Sequence, residues 1–221
     1  MRTQTKETQA QLTPERAKEI LLEGNQRFVN NLKVNRNLLQ QVNETSQSQF
    51  RFAIILSCID SRTSAELIFD QGLGDIFSAR IAGNVVNEDI LGSMEFACKV
   101  AGSKLIVVLG HSNCGAIKGA CDNAQLGYLT GLVNKIKPSV DSVRYTGVKN
   151  SSNAEFVEMV AEANVKRMTK EISAKSPILA EMIENGEIGL VGGMYNIETG
   201  IVEFYEHVNQ TTEVGHEESA G

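Results

Sequence analysis

The chain has 221 residues, 42% of them hydrophobic, which is enough for one domain, 1–221, with a substantial core. Its 21 Lys and Arg against 27 Asp and Glu leave a formal charge of -6. That balance excludes the basic footprint of a nucleic-acid binder and the polybasic patch of an electrostatic membrane anchor. The longest apolar runs, 52–56 and 105–109, are far short of a membrane span. Residues 1–7 are polar and offer no apolar segment for a secretory signal, so a cytoplasmic location is expected. In a reducing compartment Cys58, Cys98, Cys114 and Cys121 are expected as ligands, nucleophiles or core thiols, not as disulfides.

Residues 1–12 show no pattern and are expected to lack order. Thr13 and Pro14 then mark a helix start, as cap and first helical residue. Ala17, Ile20, Leu21, Phe28 and Leu32 follow at helical spacing. The stretch 30–49 is rich in Asn and Gln without a period, so 1–49 reads as a helical arm and connector. From Phe52 the pattern changes to a continuous apolar run, as in a strand buried on both faces. Further strands are predicted at 76–81, 104–109, 188–191 and 201–205. Helices are predicted at about 86–101, 115–137, 153–173 and 177–185. In the longest of them Phe156, Val160, Met168 and Ile172 share a face, with Asn164 in line. Strands alternating with helices predict an α/β fold with a mostly parallel sheet of four strands flanked by helices. The connection 195–200 is too short for a parallel crossover, so the fifth strand is expected to be antiparallel. Residues 210–221 read as a low-order tail.

Two short segments, each directly after one of the most apolar strands, carry the chemistry. The first is Ser57-Cys58-Ile59-Asp60-Ser61-Arg62, and the second is Gly110-His111-Ser112-Asn113-Cys114-Gly115. Sites in open α/β sheets form at the carboxyl ends of strands, so neighbouring strands would bring Cys58, Asp60, His111 and Cys114 together. Thiolate, imidazole and carboxylate suit zinc. His111 and Cys114, three apart, can share a face at a helix start, where the helix end favours the Cys114 thiolate. His207 and His216, near the C-terminal end, leave His111 as the histidine placed for a central site. Taken singly each residue has a bland reading, such as a core thiol or a satisfied polar group. Four ligand types at the ends of two apolar strands favour a metal site. Cys98 and Cys121 lack that setting and read as core thiols. Asp60 and Arg62 can pair across Ser61, either as a turn-closing salt bridge or as a switch. Paired with Arg62, Asp60 leaves a zinc position open; bound to zinc, it fills that position.

These motifs resemble the β-class carbonic anhydrases. Cys58-Ile59-Asp60-Ser61-Arg62 is similar to the family's Cys-x-Asp-x-Arg, and His111-Ser112-Asn113-Cys114 to its His-x-x-Cys. The segments 66–77 and 80–86 between them, with Ala163-Asn164-Val165 and Gly193-Met194-Tyr195, extend the likeness over roughly residues 15–205. The resemblance implies one zinc per chain and hydration of carbon dioxide to bicarbonate and a proton by a zinc-bound hydroxide. It implies that Asp60 orients the hydroxide and that Arg62 holds Asp60 off the metal. It implies a dimer or tetramer whose N-terminal helices cross onto a partner subunit, with Gln49 reaching substrate across the interface. Phe77 and Phe96 would wall the pocket, and the Gly115 amide would contact a substrate oxygen. Three residues depart from the family pattern. Arg51 replaces a common proline, Phe96 a tyrosine, and Ile55 a tryptophan that elsewhere joins Arg80 and Tyr195 in an inhibitory bicarbonate site. The competing readings are a hydrolase of a carbon dioxide analogue such as carbon disulfide, and a zinc-stabilised structural protein.

Overall fold

The computed structural model describes residues 4–205, so His207, His216 and the tail at 210–221 lie outside the described residues. Five strands form one sheet in the order β2-β1-β3-β4-β5: β1 Ala53–Ser57, β2 Ile76–Arg80, β3 Leu105–His111, β4 Gly189–Tyr195 and β5 Val202–Phe204. The first four are parallel and β5 is antiparallel to β4. Both predicted features of the sheet hold. β1 and β3 are buried along their whole lengths, as their unbroken apolar runs require.

One face of the sheet is covered by α5 Glu88–Glu95, which runs on into a wider turn at Phe96–Val100, by α6 Gly115–Cys121, and by the helices from α7 Gly127–Asn134 to α10 Pro177–Glu184. Between those two lie α8 Lys137–Ser142 and α9 Ala154–Lys175. The long α9 presents Phe156, Val160, Val165, Met168 and Ile172 to the sheet. It approaches closely at Gly110, where a Cβ would stand 2.6 Å from Val165 Cγ2. The predicted helix at 115–137 is two short helices, α6 and α7, with α8 starting only at Lys137. Asn123 and Gly127 adopt left-handed backbone at φ 53° and 43°, which ends α6 and sets the start of α7.

The N-terminal region, on the other face, corrects two expectations. Residues 1–12 contain a helix, α1 Lys6–Gln11, held by a Thr5/Thr8 capping box. Its Gln9 donates to the carbonyls of Arg51 at 2.7 Å and Ala101 at 2.9 Å, an anchor that local pattern does not reveal. The Asn/Gln-rich connector contains α3 Leu38–Thr45, capped by Asn37. On this face α2 Pro14–Val29 packs against its own sheet. Its Ala17 and Leu21 are wholly buried with Phe52, Ile55, Val107 and Leu109, because that sheet face would otherwise lie bare. Asn25 closes the fit, donating to the carbonyls of Ile68 and Gly200 and accepting from the Val202 amide. Thr13 caps α2 as predicted, its hydroxyl accepting from Arg16 N. Among the described residues no helix is long and apolar enough to cross a membrane.

The segment joining α2 to α3 is clamped to the turn after α4 Ala65–Ile68 by a buried carboxylate. Asp70 takes Arg27 Nε at 2.6 Å and Arg36 Nη1 at 2.5 Å, and Arg36 also reaches the Asp70 carbonyl. Burial alone would raise the Asp70 pKa; Arg27 and Arg36 overcome it and hold the carboxyl below its ordinary value. The group therefore stabilises the fold above its unfolded pKa of about 3.9, and that contribution is lost as pH falls through the depressed folded value. Asp70→Asn keeps the shape and tolerates the left-handed φ of 45° at this position. It strands Arg36, whose side chain is 7% exposed. The expected loss is about 3–5 kcal/mol in urea unfolding at neutral pH, that of a broken buried pair. A loss under about 1 kcal/mol would reduce the clamp to an ordinary surface ion pair.

Candidate metal centre

In a sheet of this order the connections reverse direction between β1 and β3, and a crevice opens beyond their carboxyl ends. The two strands pair in register from Ala53↔Leu105 to Ser57↔Leu109. Cys58 is the next residue out of β1, and His111 ends β3. Asn113 in left-handed backbone, φ 57°, then turns the chain so that Cys114 caps α6. Cys58 Sγ, Cys114 Sγ and a ring nitrogen of His111 all lie within 4.8 Å of one another, and all three residues are buried.

The donors fit one zinc ion. The two sulfurs are 4.0 Å apart. Ligand bonds of about 2.3 Å to sulfur and 2.0 Å to nitrogen in a tetrahedron put donor atoms roughly 3.5–3.8 Å apart, so a small contraction completes the site. His111 Nδ1 lies 2.9 Å from the Ser112 carbonyl and so carries the proton, leaving its lone pair on Nε2. Nε2 is buried and has no hydrogen-bond partner among the described residues. An unpaired buried acceptor is costly, and a cation removes the cost. Between two close thiols the first proton leaves Cys58. Its sulfur is favoured as thiolate chiefly by the Cys114 thiol and also by the Gly83 amide, which outweigh burial and hold its pKa well below the usual thiol range. The Cys58 charge and burial then hold the Cys114 proton on, well above the usual thiol range. A dication between them would relieve that repulsion.

Asp60 stands beside this cluster, not in it. Arg62 Nε reaches Asp60 Oδ1 at 2.9 Å and Arg62 Nη2 reaches Oδ2 at 2.7 Å, while the Arg62 amide also donates to Oδ1 at 3.0 Å. The pairing with Arg62 holds the Asp60 carboxyl far below the usual range, so it is ionised at any working pH. Of the two expected arrangements, this structure shows the one that leaves the zinc position open. The loop is fixed through its backbone. Thr63 Oγ1 donates to the carbonyls of Cys58 and Asp60, and Arg80 donates to the same two.

The carbonic anhydrase family profile matches residues 53–202, which includes both ligand loops. The chain belongs to the β-class carbonic anhydrase family. It is 33% identical over 207 residues to a carbonic anhydrase of Mycolicibacterium smegmatis, covering 91% of this chain and 98% of the relative. It is 35% identical over 208 residues to carbonic anhydrase 2 of Mycobacterium tuberculosis, covering 90% and 97%. Among solved structures, the β-carbonic anhydrase CcaA superposes with a TM-score of 0.67 at 25% identity, covering 86% of this chain and 87% of that one. The β-carbonic anhydrase CafA of Aspergillus fumigatus gives 0.65 at 25%, covering 76% and 81%.

Of the predicted substrate residues Gly115 adjoins this centre, next to Cys114, while Phe77 and Phe96 lie away from it. Phe77 pairs with Ile54, four residues before Cys58, which places it about 13 Å back along the strand. Its ring meets Phe96 edge-on at 6.2 Å between centroids. Both line an open groove of about 760 Å³ with Ile54, Ala79 and Ile90. Arg51 packs its guanidinium 4.2 Å from the centre of the Phe77 ring, which gives the residue in the proline position a cation–π role. Gln49 is exposed ahead of β1. Gly115 is exposed beside Cys114, with nothing within 4 Å of where a Cβ would stand. Ile55 is wholly buried in the sheet, and Arg80 is engaged with the loop carbonyls. Cys98 and Cys121 are buried away from the cluster, and burial pushes the Cys98 thiol up to about 12. The sequence reading assigned no role to Thr63, Gly83 or Ser112. The signal that could have pointed to Gly83 is the pair Gly83-Asn84 shortly after β2, a turn signal.

Proposed function

We propose that this protein hydrates carbon dioxide to bicarbonate, using one zinc ion per chain held by Cys58, His111 and Cys114. The observation that carries the reading is the pair of facing states. Three donors converge with the His111 Nε2 lone pair unused, while the Asp60 carboxylate beside them is held aside by Arg62. Bound there, zinc supplies the Lewis acidity that ionises water near neutral pH. Asp60 orients that water. Its Oδ1 already accepts two hydrogen bonds from Arg62 and its Oδ2 accepts one, so one lone pair of Oδ2 remains. Being ionised, Asp60 can only accept, which turns the oxygen lone pair away from itself and toward carbon dioxide. The exposed Gly115 amide, at the first turn of α6, is placed to donate to a substrate oxygen. Four reduced thiols in the sequence suit a cytoplasmic setting.

The chain works as a dimer or tetramer in this reading. Phe77, about 13 Å back along the sheet from Cys58, and Phe96 against its ring are too far to serve their own metal, so a partner's centre is where they and Gln49 act. The apolar surface for association is on α3, where Leu38, Leu39 and Val42 are 55%, 72% and 48% exposed. Stopped-flow carbon dioxide hydration by protein with one measured zinc per chain tests the function. Full zinc with a rate no faster than the uncatalysed reaction would sink it. Leu39→Glu with Val42→Glu is expected to sediment as monomer, with normal zinc and at least a 10-fold slower rate. A fully active monomer would remove the partner's role.

A further inference from the structure

Cys58 Sγ has a third neighbour besides Cys114 and His111. The Gly83 amide donates to it at 3.4 Å. Gly83 belongs to the short turn Ala82–Asn84 and holds left-handed backbone at φ 68°. A Cβ there would stand 2.6 Å from Ile136 Cδ1 and 3.2 Å from Ala116 Cβ, so the turn favours glycine. It is held from behind by α9. Asn164 Nδ2 donates to the Gly83 carbonyl at 2.9 Å, and the Ser139 hydroxyl on α8 donates to Asn164 Oδ1 at 3.1 Å. The second bond decides the orientation of the first, because it keeps the oxygen end of the amide toward Ser139 and the nitrogen end toward Gly83. Ser139 and Asn164 are both 0% exposed. Asn164 sits on the apolar face of α9 between Ala161, Val165 and Met168. An amide in such a place costs free energy unless its partners are in position, and α9 is already secured by the apolar residues around it.

We propose that Asn164 and Ser139 are positioning residues for the metal centre, acting through the Gly83 turn on the sulfur of Cys58. They keep the Gly83 amide aimed at that thiolate. An N–H donor stabilises the sulfur's charge and draws electron density from it, so the pair sets both the zinc affinity of the site and the donor strength of one ligand. The inference rests on the zinc reading above. Metal affinity and the spectrum of the cobalt-substituted protein test it without recourse to turnover. Asn164→Ala and Ser139→Ala are expected to weaken zinc binding about 10–100-fold in chelator competition, the range for residues that orient a ligand. In both, the sulfur-to-cobalt charge-transfer band moves to longer wavelength, because a thiolate without its N–H donor gives up electron density more easily. Val160→Ala cuts a cavity in the same helix and is expected to lower the melting temperature while leaving zinc affinity and the cobalt band in place. Parent-like affinity and spectrum in folded Asn164→Ala would overturn the proposal; if that variant does not fold, the same result in Ser139→Ala does so. An equal fall in zinc affinity for Val160→Ala would also overturn it, by reducing the effect to general stability. A parent protein that binds no zinc would take down the zinc reading with it.

Discussion

Cys114→Ser is expected to drop zinc from one ion per chain to a small fraction of that, with hydration falling in proportion. Serine nearly matches cysteine in size, so the cap of α6 and the buried packing around residue 114 stay as they are. What disappears is the thiolate. A serine hydroxyl does not ionise near neutral pH, and two donors remain where a structural or catalytic zinc takes at least three from the protein. The loss should exceed the roughly 100-fold that outer-shell substitutions reach. The substitution also removes the partner that sets the Cys58 sulfur as thiolate. Elemental analysis after gel filtration, with melting temperature as the control for folding, reads the result directly. Full zinc occupancy in Cys114→Ser would mean that the metal sits elsewhere. Because both thiols must lose their protons to bind, zinc affinity in the parent should also fall as pH is lowered.

The centre of this molecule was legible in the sequence because it is built from local signals. Runs such as Ile54-Ile55-Leu56 and Leu105-Ile106-Val107-Val108 can only be strands buried on both faces, and the ligands follow each run within a few residues. Pairing of β1 with β3 then brings the two loops together. The periphery was less legible because its stability is not local. The clamp of Arg27, Arg36 and Asp70 joins positions 43 and 34 residues apart, and no spacing rule links them. Gln9 belongs to a helix that shows its worth only against the carbonyls of Arg51 and Ala101. The long helix expected at 115–137 breaks instead on a local signal, Asn123 in left-handed backbone at φ 53°, a conformation that Asn tolerates after a helix end. Asn164 lies between these cases. An amide in line with Phe156, Val160 and Met168 is visible in the sequence as an irregularity, but its partner Gly83 is 81 residues away.

Arg62→Ala is expected to keep its zinc and lose most of its activity. Asp60 has two possible partners, the guanidinium of Arg62 and a metal ion, and they exclude each other. In this structure Arg62 holds it with three hydrogen bonds, and that pairing keeps the carboxyl ionised near neutral pH. Arg80 does not compete for it, since its guanidinium is spent on the carbonyls of Cys58 and Asp60. Remove Arg62, and an ionised carboxylate is left beside a dication on a loop already pinned by Thr63. Coordination is then its best remaining interaction, and a fourth protein ligand closes the position that water needs. Asp60→Asn takes the opposite route to a similar rate. It also keeps zinc, because three ligands remain, but a neutral amide is a weaker acceptor for the water and binds a metal poorly. Loss of a positioned acceptor of this kind is worth about 10²–10⁴-fold. If the pair were only a turn-closing salt bridge, it would behave as an exposed one, with Arg62 49% exposed at its side chain. Such pairs contribute about 0–1 kcal/mol, so both variants would then melt slightly earlier and hydrate carbon dioxide normally per folded molecule. Melting temperature, zinc content and stopped-flow rate on the two variants separate these outcomes, and parent-like rates in zinc-loaded Arg62→Ala would end the switch.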